Sequence, residues 1–205
     1  MSKLVVRLES DDTTRDRILK AAMLRFSTHS YEETGLRDLA ADVGVDMAYV
    51  HRSFGSKEKL FYQAVKATLR PERVFAVDSD ELPSVLAKDI LAERGSDEIR
   101  PLDIVIRSFS SPDASCVLNS LMMEGFVEPL MRKREGVTKR DAALIGAFLC
   151  GVGILRDVIR AEAILNEKGS ELEDAITQVI DCLLNKRGDD ACKASIDPSP
   201  RYASG

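Results

Sequence analysis

Aromatic residues are scarce in this chain, at 5% of its 205 residues, and tryptophan is missing altogether. Sheets draw on aromatic and β-branched residues in alternating runs, and no alternating stretch of any length occurs here. A β fold is therefore not expected. Histidine is nearly as rare: His29 and His51 stand far from the four cysteines, Cys116, Cys150, Cys182 and Cys192, which contain no C-x-x-C pair. That spacing assembles no zinc site, and neither metal nor cofactor is expected. No P-loop, catalytic triad or paired carboxylates stand at motif spacing, which argues against an enzyme. The longest apolar run, Ala142–Leu155, has fourteen residues, short of the roughly 20 that span a bilayer. Met1–Leu8 is too short and too charged for a signal peptide. Three of the cysteines lie in apolar helical stretches, where a thiol behaves as a small hydrophobe. A reducing, cytoplasmic setting without membrane contact fits them.

What is present is ordinary for a folded chain, with 44% hydrophobic and 31% charged residues. Leu, Ile, Val and Ala dominate, so the expected fold class is all-α, with about nine helices. The net charge of −5 is unevenly spread. Residues 15–70 carry ten Lys/Arg against seven Asp/Glu, whereas 71–205 carry 17 against 24. A mildly basic first third on an acidic remainder suits a nucleic-acid module attached to a body.

The stretch from Thr34 to Lys57, TGLRDLAADVGVDMAYVHRSFGSK, organises the rest. Leu39, Ala40 and Val43 fall on one face of a first helix, and Gly44 supplies the left-handed residue that closes it. Asp46 can then accept from the amides of Ala48 and Tyr49 and start a second helix. Val50 and Phe54, four apart, form its buried side. Met47, Tyr49, Arg52 and Ser53 on the other side have no core to face. Two short helices joined by a glycine turn form a helix-turn-helix, the DNA-reading unit.

In chain order, residues 1–12 read as a flexible arm and 13–55 as the helix-turn-helix domain. Within it, Thr13 or Thr14 caps a helix running to about His29, with Ile18, Leu19, Ala22, Met23 and Phe26 as its stripe. Thr34 is expected to cap the next. Ser56 opens a connecting helix over 56–70, and 71–187 form a helical body for ligand binding and dimerisation. In that body 71–83 read as linker-like, 84–94 as a helix ended by Gly95, and 101–109 as a helix opened by Pro101. Ser111-Pro112 starts a helix over 112–126 that Pro129 should break or kink. Thr138 starts a long apolar helix to about Ala163. Ser170 and Glu173 form a capping box for a final helix, ended by Gly188. Residues 188–205 read as a disordered tail.

The long apolar helix admits two readings. Gly146, Cys150, Gly151 and Gly153 leave a strip of small residues that lets another helix approach closely. Either it is the central helix of one bundle, or that strip, with Ile176, Val179, Ile180 and Leu183 of the last helix, forms a subunit interface across a two-fold axis. The second is favoured because a helix-turn-helix normally reads paired half-sites.

Residues 34–60, T-G-L-R-D-L-A-A-D-V-G-V-D-M-A-Y-V-H-R-S-F-G-S-K-E-K-L, and the preceding -RFSTHSYEE- resemble the TetR family of bacterial transcriptional regulators. The resemblance implies that Met47, Ala48 and Tyr49 face base edges in the major groove. It places Thr34, Gly35, Leu36 and Arg37 where the family contacts phosphates. His51 stands in place of a usual tyrosine, Ser53 in place of a usual histidine, and Arg52 lies between them. Asp46 stands where serine is common. Lys57 opens a helix whose dipole disfavours a cation by about 0.3–1 kcal/mol; a phosphate there would reverse the sign. The family also implies a small-molecule cavity within the body. Phe109, Cys116, Met122, Met123, Phe126 and Phe148 are its candidate walls, with Arg107 and Asn119 as polar groups. The expected function is a dimeric, sequence-specific regulator of a palindromic duplex operator, a repressor released by a small lipophilic ligand. The alternative is a protein of the same fold that docks a protein partner and has no inducer.

Overall fold

The computed structural model describes residues 11–69, 71–92, 98–165 and 169–193. The arm through residue 10, the tail from 194 and the expected stop at Gly95 lie outside them. Every regular element among the described residues is helical, in eleven helices rather than nine.

The first four helices form a head: α1 (Thr14–Thr28), α2 (Leu36–Val43), α3 (Met47–Phe54) and α4 (Lys57–Thr68). Thr13 caps α1 reciprocally, its hydroxyl accepting from the Asp16 amide while Asp16 accepts from the Thr13 amide. Ile18, Ala22 and Phe26 of α1 and Leu60, Phe61 and Ala64 of α4 are buried to within 1% of full burial, and α2 and α3 pack into the angle between them. Phe61 meets Phe26 and Tyr31 edge-on, with ring centroids 4.8 and 5.0 Å apart. That geometry satisfies the ring quadrupoles.

The body follows as α5 (Pro71–Phe75), α6 (Leu82–Leu91), α7 (Pro101–Ser108), α8 (112–133), α9 (139–158), α10 (Glu162–Leu165) and α11 (Gly169–Lys193). The stretch read as linker thus contains a helical turn, and α6 starts earlier than expected, with Pro83 in its first turn.

Pro129 does not break α8. A π turn over Met123–Val127 precedes it, in which the Glu128 amide donates to the Met123 carbonyl. The wider turn absorbs the bond that a proline cannot make. A second π turn, Ile154–Val158, ends α9 short of Ala163, where Arg160 turns the chain with φ 56°. Helix α11 begins at Gly169, so Ser170 and Glu173 lie inside it rather than forming a capping box. It also runs through Gly188 to Lys193, since a single glycine weakens a helix by only about 1 kcal/mol.

Two hydrophobic cores result. The head core takes in Ile104 of α7 and Ala114 and Leu121 of α8. The body core joins Leu82 and Leu86 of α6, Val127 and Leu130 of α8, Ile145 and Leu149 of α9, and Ile176 and Ile180 of α11. Helix α8 therefore belongs to both cores, with its π turn between them.

Candidate DNA-binding surface

The α2–turn–α3 unit is built by local rules. The Gly44 amide donates to Ala40 and Ala41 with φ 74°, a conformation that a Cβ would penalise. The Asp46 carboxylate accepts from the Ala48 amide at 2.6 Å and starts α3. Val50 is fully buried and Phe54 nearly so. Helical geometry then sends Met47, Ala48, Tyr49, His51 and Arg52 outward, and all five are exposed; Ser53 is half-buried at the edge. The Arg52 guanidinium lies 5.9 Å from the Tyr49 ring centroid. Two guanidinium groups brace the unit from α1: Arg17 donates to the Val43 carbonyl, and Arg25 makes a two-pronged pair with Asp42. Hydrogen bonding to Asp42 raises the Arg25 pKa.

At the start of α2 the structure corrects one expectation. Thr34 is fully buried and its hydroxyl donates to the Ser30 carbonyl at 3.0 Å, so its side chain neither caps α2 nor reaches a surface. Gly35 is the cap residue, and its amide donates to Asp38 at 3.1 Å. A Cβ on Gly35 would sit 3.0 Å from that Asp38 oxygen, so a larger residue would disturb the bond. Leu36 is half-buried against the head core, whereas Arg37 is exposed.

Lys57, at the first turn of α4, is not simply solvated. Its ammonium stands 4.1 Å from the centroid of the Tyr31 ring, a cation–π contact that offsets its unfavourable place in the helix dipole. Sequence reasoning missed this pair and also Arg15, whose guanidinium lies 4.6 Å over the Phe54 ring and donates to Gln63. Partners 26 and 39 positions apart leave no periodic signal.

The candidate cavity residues do not gather into one chamber. Arg107 donates to the Ser27 carbonyl at 2.7 Å, tying α7 to the end of α1. Phe109, at 54% exposure, follows α7 on the surface, and Cys116 and Asn119 are exposed on α8. Met122 and Phe126 press instead on Gly146, each placing an atom 3.3 Å from where its Cβ would be. Met123 and Phe148 are half-buried at the body core.

The small-residue strip is likewise divided. Gly146 and Gly153 face inward, Gly153 against Ile90 and Leu102 at 3.2 Å. Ile176 and Ile180 are buried in the body core. These four serve packing within one protomer, and placing them at a subunit interface is corrected. Cys150 is half-buried, and burial raises its thiol pKa. The outer face of α9 carries Leu144, Gly151, Leu155 and Val158, with open space at Gly151. Val179 and Cys182 are exposed on α11, with Leu183 half-buried beside them.

An all-helical chain with a capped reading helix on its own small core belongs to the helix-turn-helix class of DNA-binding proteins. More narrowly, residues 18–64 match the model for bacterial regulatory proteins of the tetR family, and residues 80–184 match a tetracyclin repressor-like C-terminal domain. The chain belongs to the TetR family of transcriptional regulators. Among solved structures it is similar to NalD of Pseudomonas aeruginosa, the secondary repressor of the MexAB-OprM multidrug efflux pump, at 22% identity and a TM-score of 0.61. That match covers 83% of this chain and 96% of NalD. A TetR-family regulator from Streptomyces coelicolor matches at 24% identity and a TM-score of 0.54, covering 87% of this chain and 98% of that one. The multidrug binding protein EbrR, solved with proflavin, matches at 19% identity and a TM-score of 0.53, covering 83% and 99%. No curated protein matches the chain. Among the described residues, no helix is long and apolar enough to cross a membrane.

Proposed function

We propose that this regulator binds a palindromic operator as a homodimer and acts as a repressor that a small lipophilic ligand releases. The carrying observation is the outer face of α3. Met47, Tyr49, His51 and Arg52 are exposed on a helix whose other side is buried and whose ends are capped. In this reading Met47, Ala48 and Tyr49 meet base edges. Arg37, His51, Arg52, Ser53, Lys57 and the Gly35 backbone meet phosphates. Thr34 contributes only by holding the turn. The dimer forms on the outer faces of α9 and α11 through Leu144, Gly151, Leu155 and Val179. Leu144, Leu155 and Val179 are exposed there and leave an apolar strip that one protomer does not cover. NalD is a secondary repressor and EbrR is a multidrug binding protein solved with proflavin; both precedents support ligand-linked repression. The ligand acts only through its preference for the conformation that does not bind DNA.

A second reading, a same-fold protein that docks a protein partner and has no inducer, is favoured by one observation. The eight candidate cavity residues are spread over the surface and the core. Selecting bound fragments from random duplex DNA tests the main reading: an inverted repeat should emerge. Enrichment without a repeat, or no retention at low ionic strength, rejects it. A thermal-shift screen of small molecules then separates the two readings, since an inducer raises the melting temperature of the free protein.

A further inference from the structure

The first turn of α3 offers a base edge little to hydrogen-bond with. From Val45 to Val50 the chain carries no arginine, lysine, asparagine or glutamine. Those are the side chains that take guanine through O6 and N7, or adenine through N6 and N7. In their place stand Met47, 41% exposed, the exposed Ala48, and Tyr49, 37% exposed. Met47 has only a weakly accepting thioether and Ala48 nothing polar, while Tyr49 is a ring with one hydroxyl at its tip.

Two further features narrow what this triplet can select. Arg52, one turn after Ala48, has its guanidinium 5.9 Å from the Tyr49 ring centroid, so it lies along its own helix towards that ring. The Asp46 carboxylate, exposed at the start of α3, accepts from the Ala48 amide at 2.6 Å and sets a negative charge beside the triplet. A carboxylate repels O6 and N7 of guanine, which are both acceptors. What remains in the major groove for an apolar surface is the C5 methyl of thymine. Ala48 lies two positions before the buried Val50 and hence on the opposite side of the helix. Its short side chain lets the helix come close to the base edges and brings Met47 and Tyr49 in on either flank.

We infer that α3 selects its half-site chiefly through the 5-methyl groups of thymine, with Met47, Ala48 and the Tyr49 ring as the apolar contact. The inference rests on α3 being the groove-facing helix and adds which bases it favours. Closing apolar side chains over a methyl group removes apolar area of both partners from water. Uracil keeps the hydrogen-bonding groups of thymine and lacks only that methyl, so the two bases isolate the contact.

Two random-sequence duplex libraries test this on the full chain, one made with thymidine and the other with deoxyuridine throughout. The thymidine library should yield an inverted repeat with fixed thymines in each half-site. The selected duplex, rebuilt with deoxyuridine at those positions, should bind about fourfold more weakly for each methyl that the helix buries. Deoxyuridine elsewhere in the same duplex should change nothing. Met47→Gln, which keeps the length of the side chain, should narrow the difference between the two duplexes. Tyr49→Phe, which keeps the ring, should preserve it. Should Met47→Gln fail to fold by circular dichroism, Ala48→Gly should narrow the same difference. Equal binding of the thymine and uracil duplexes, a repeat without fixed thymines, a loss spread evenly over every substituted position, or a difference unchanged in the folded variant each overturns the inference. These outcomes leave the operator reading standing; retention of neither library at low ionic strength rejects both.

Discussion

Head and body are both helical, yet they reach stability differently. The head is closed by its own four helices together with Ile104 of α7 and Ala114 and Leu121 of α8. Three of its four helices start at side-chain caps, the chain turns at Gly44 and Gly55 with positive φ, and the helices pack around Phe26, Tyr31 and Phe61. The body is aliphatic, bends its two long helices through π turns, and leaves Leu144, Leu155, Val158, Ile159 and Val179 exposed at 40% or more. A reading unit must keep its geometry when alone, whereas a body that exposes so much apolar surface suits association. The two share α7 and α8, held to the head by Arg107 on the Ser27 carbonyl and Ser111 on Glu32.

The contrast can be broken by substitution. Phe61→Ala should cost ~3–5 kcal/mol, because it empties the centre of the head core, and denaturant melts should show that loss. If the body then unfolds in a separate, later transition, the cores are less coupled than α8 implies. Gly153→Leu should cost about 1–3 kcal/mol or abolish folding, because its Cβ would stand 3.2 Å from Ile90 and Leu102. Gly151→Leu, facing open space, should instead leave the protomer folded and weaken the dimer. Sedimentation separates the two, and an intact dimer in folded Gly151→Leu would move the interface elsewhere.

On the head, Tyr49→Ala should lose about 1–3 kcal/mol at particular base positions and nothing on random duplex. Lys57→Ala should weaken all duplexes alike and lower the salt slope by about one. An unchanged slope would leave its ammonium on Tyr31 alone. The smallest effect is at Glu33, whose carboxylate accepts from the Ser30 amide and hydroxyl and is held below its usual pKa by them. A lowered folded-state pKa stabilises above the ordinary carboxyl range and is lost as pH falls through the lowered value. Glu33→Gln should therefore melt slightly earlier than the parent at pH ~7, and the gap should close below pH ~4. A gap that persists in acid would mean that the charge is irrelevant.

The reading face was legible in the chain because each of its causes is local. Gly44, Asp46, Val50 and Phe54 fix the turn, the cap and the buried side within eleven residues. Thr34 was misplaced for the same reason. Its type suits a cap, but the Ser30 carbonyl claims its hydroxyl, and that contact depends on how the 30–35 turn folds. In the body, the glycines of α9 were visible, but the direction each one faces was not. Residues 146, 151 and 153 differ by turns of a helix whose orientation is set by α6, α8 and α11.

The order of residues alone decided the helical class, the helix-turn-helix with its exposed Met47–Arg52 face, and the family, because caps, turns and 3.6-residue periodicity act within a few positions. Only the packed chain decided that Gly146 and Gly153 look inward and that Lys57 rests on Tyr31. Those arrangements join residues tens of positions apart, where side-chain volume and the mutual tilt of helices prevail over any local preference.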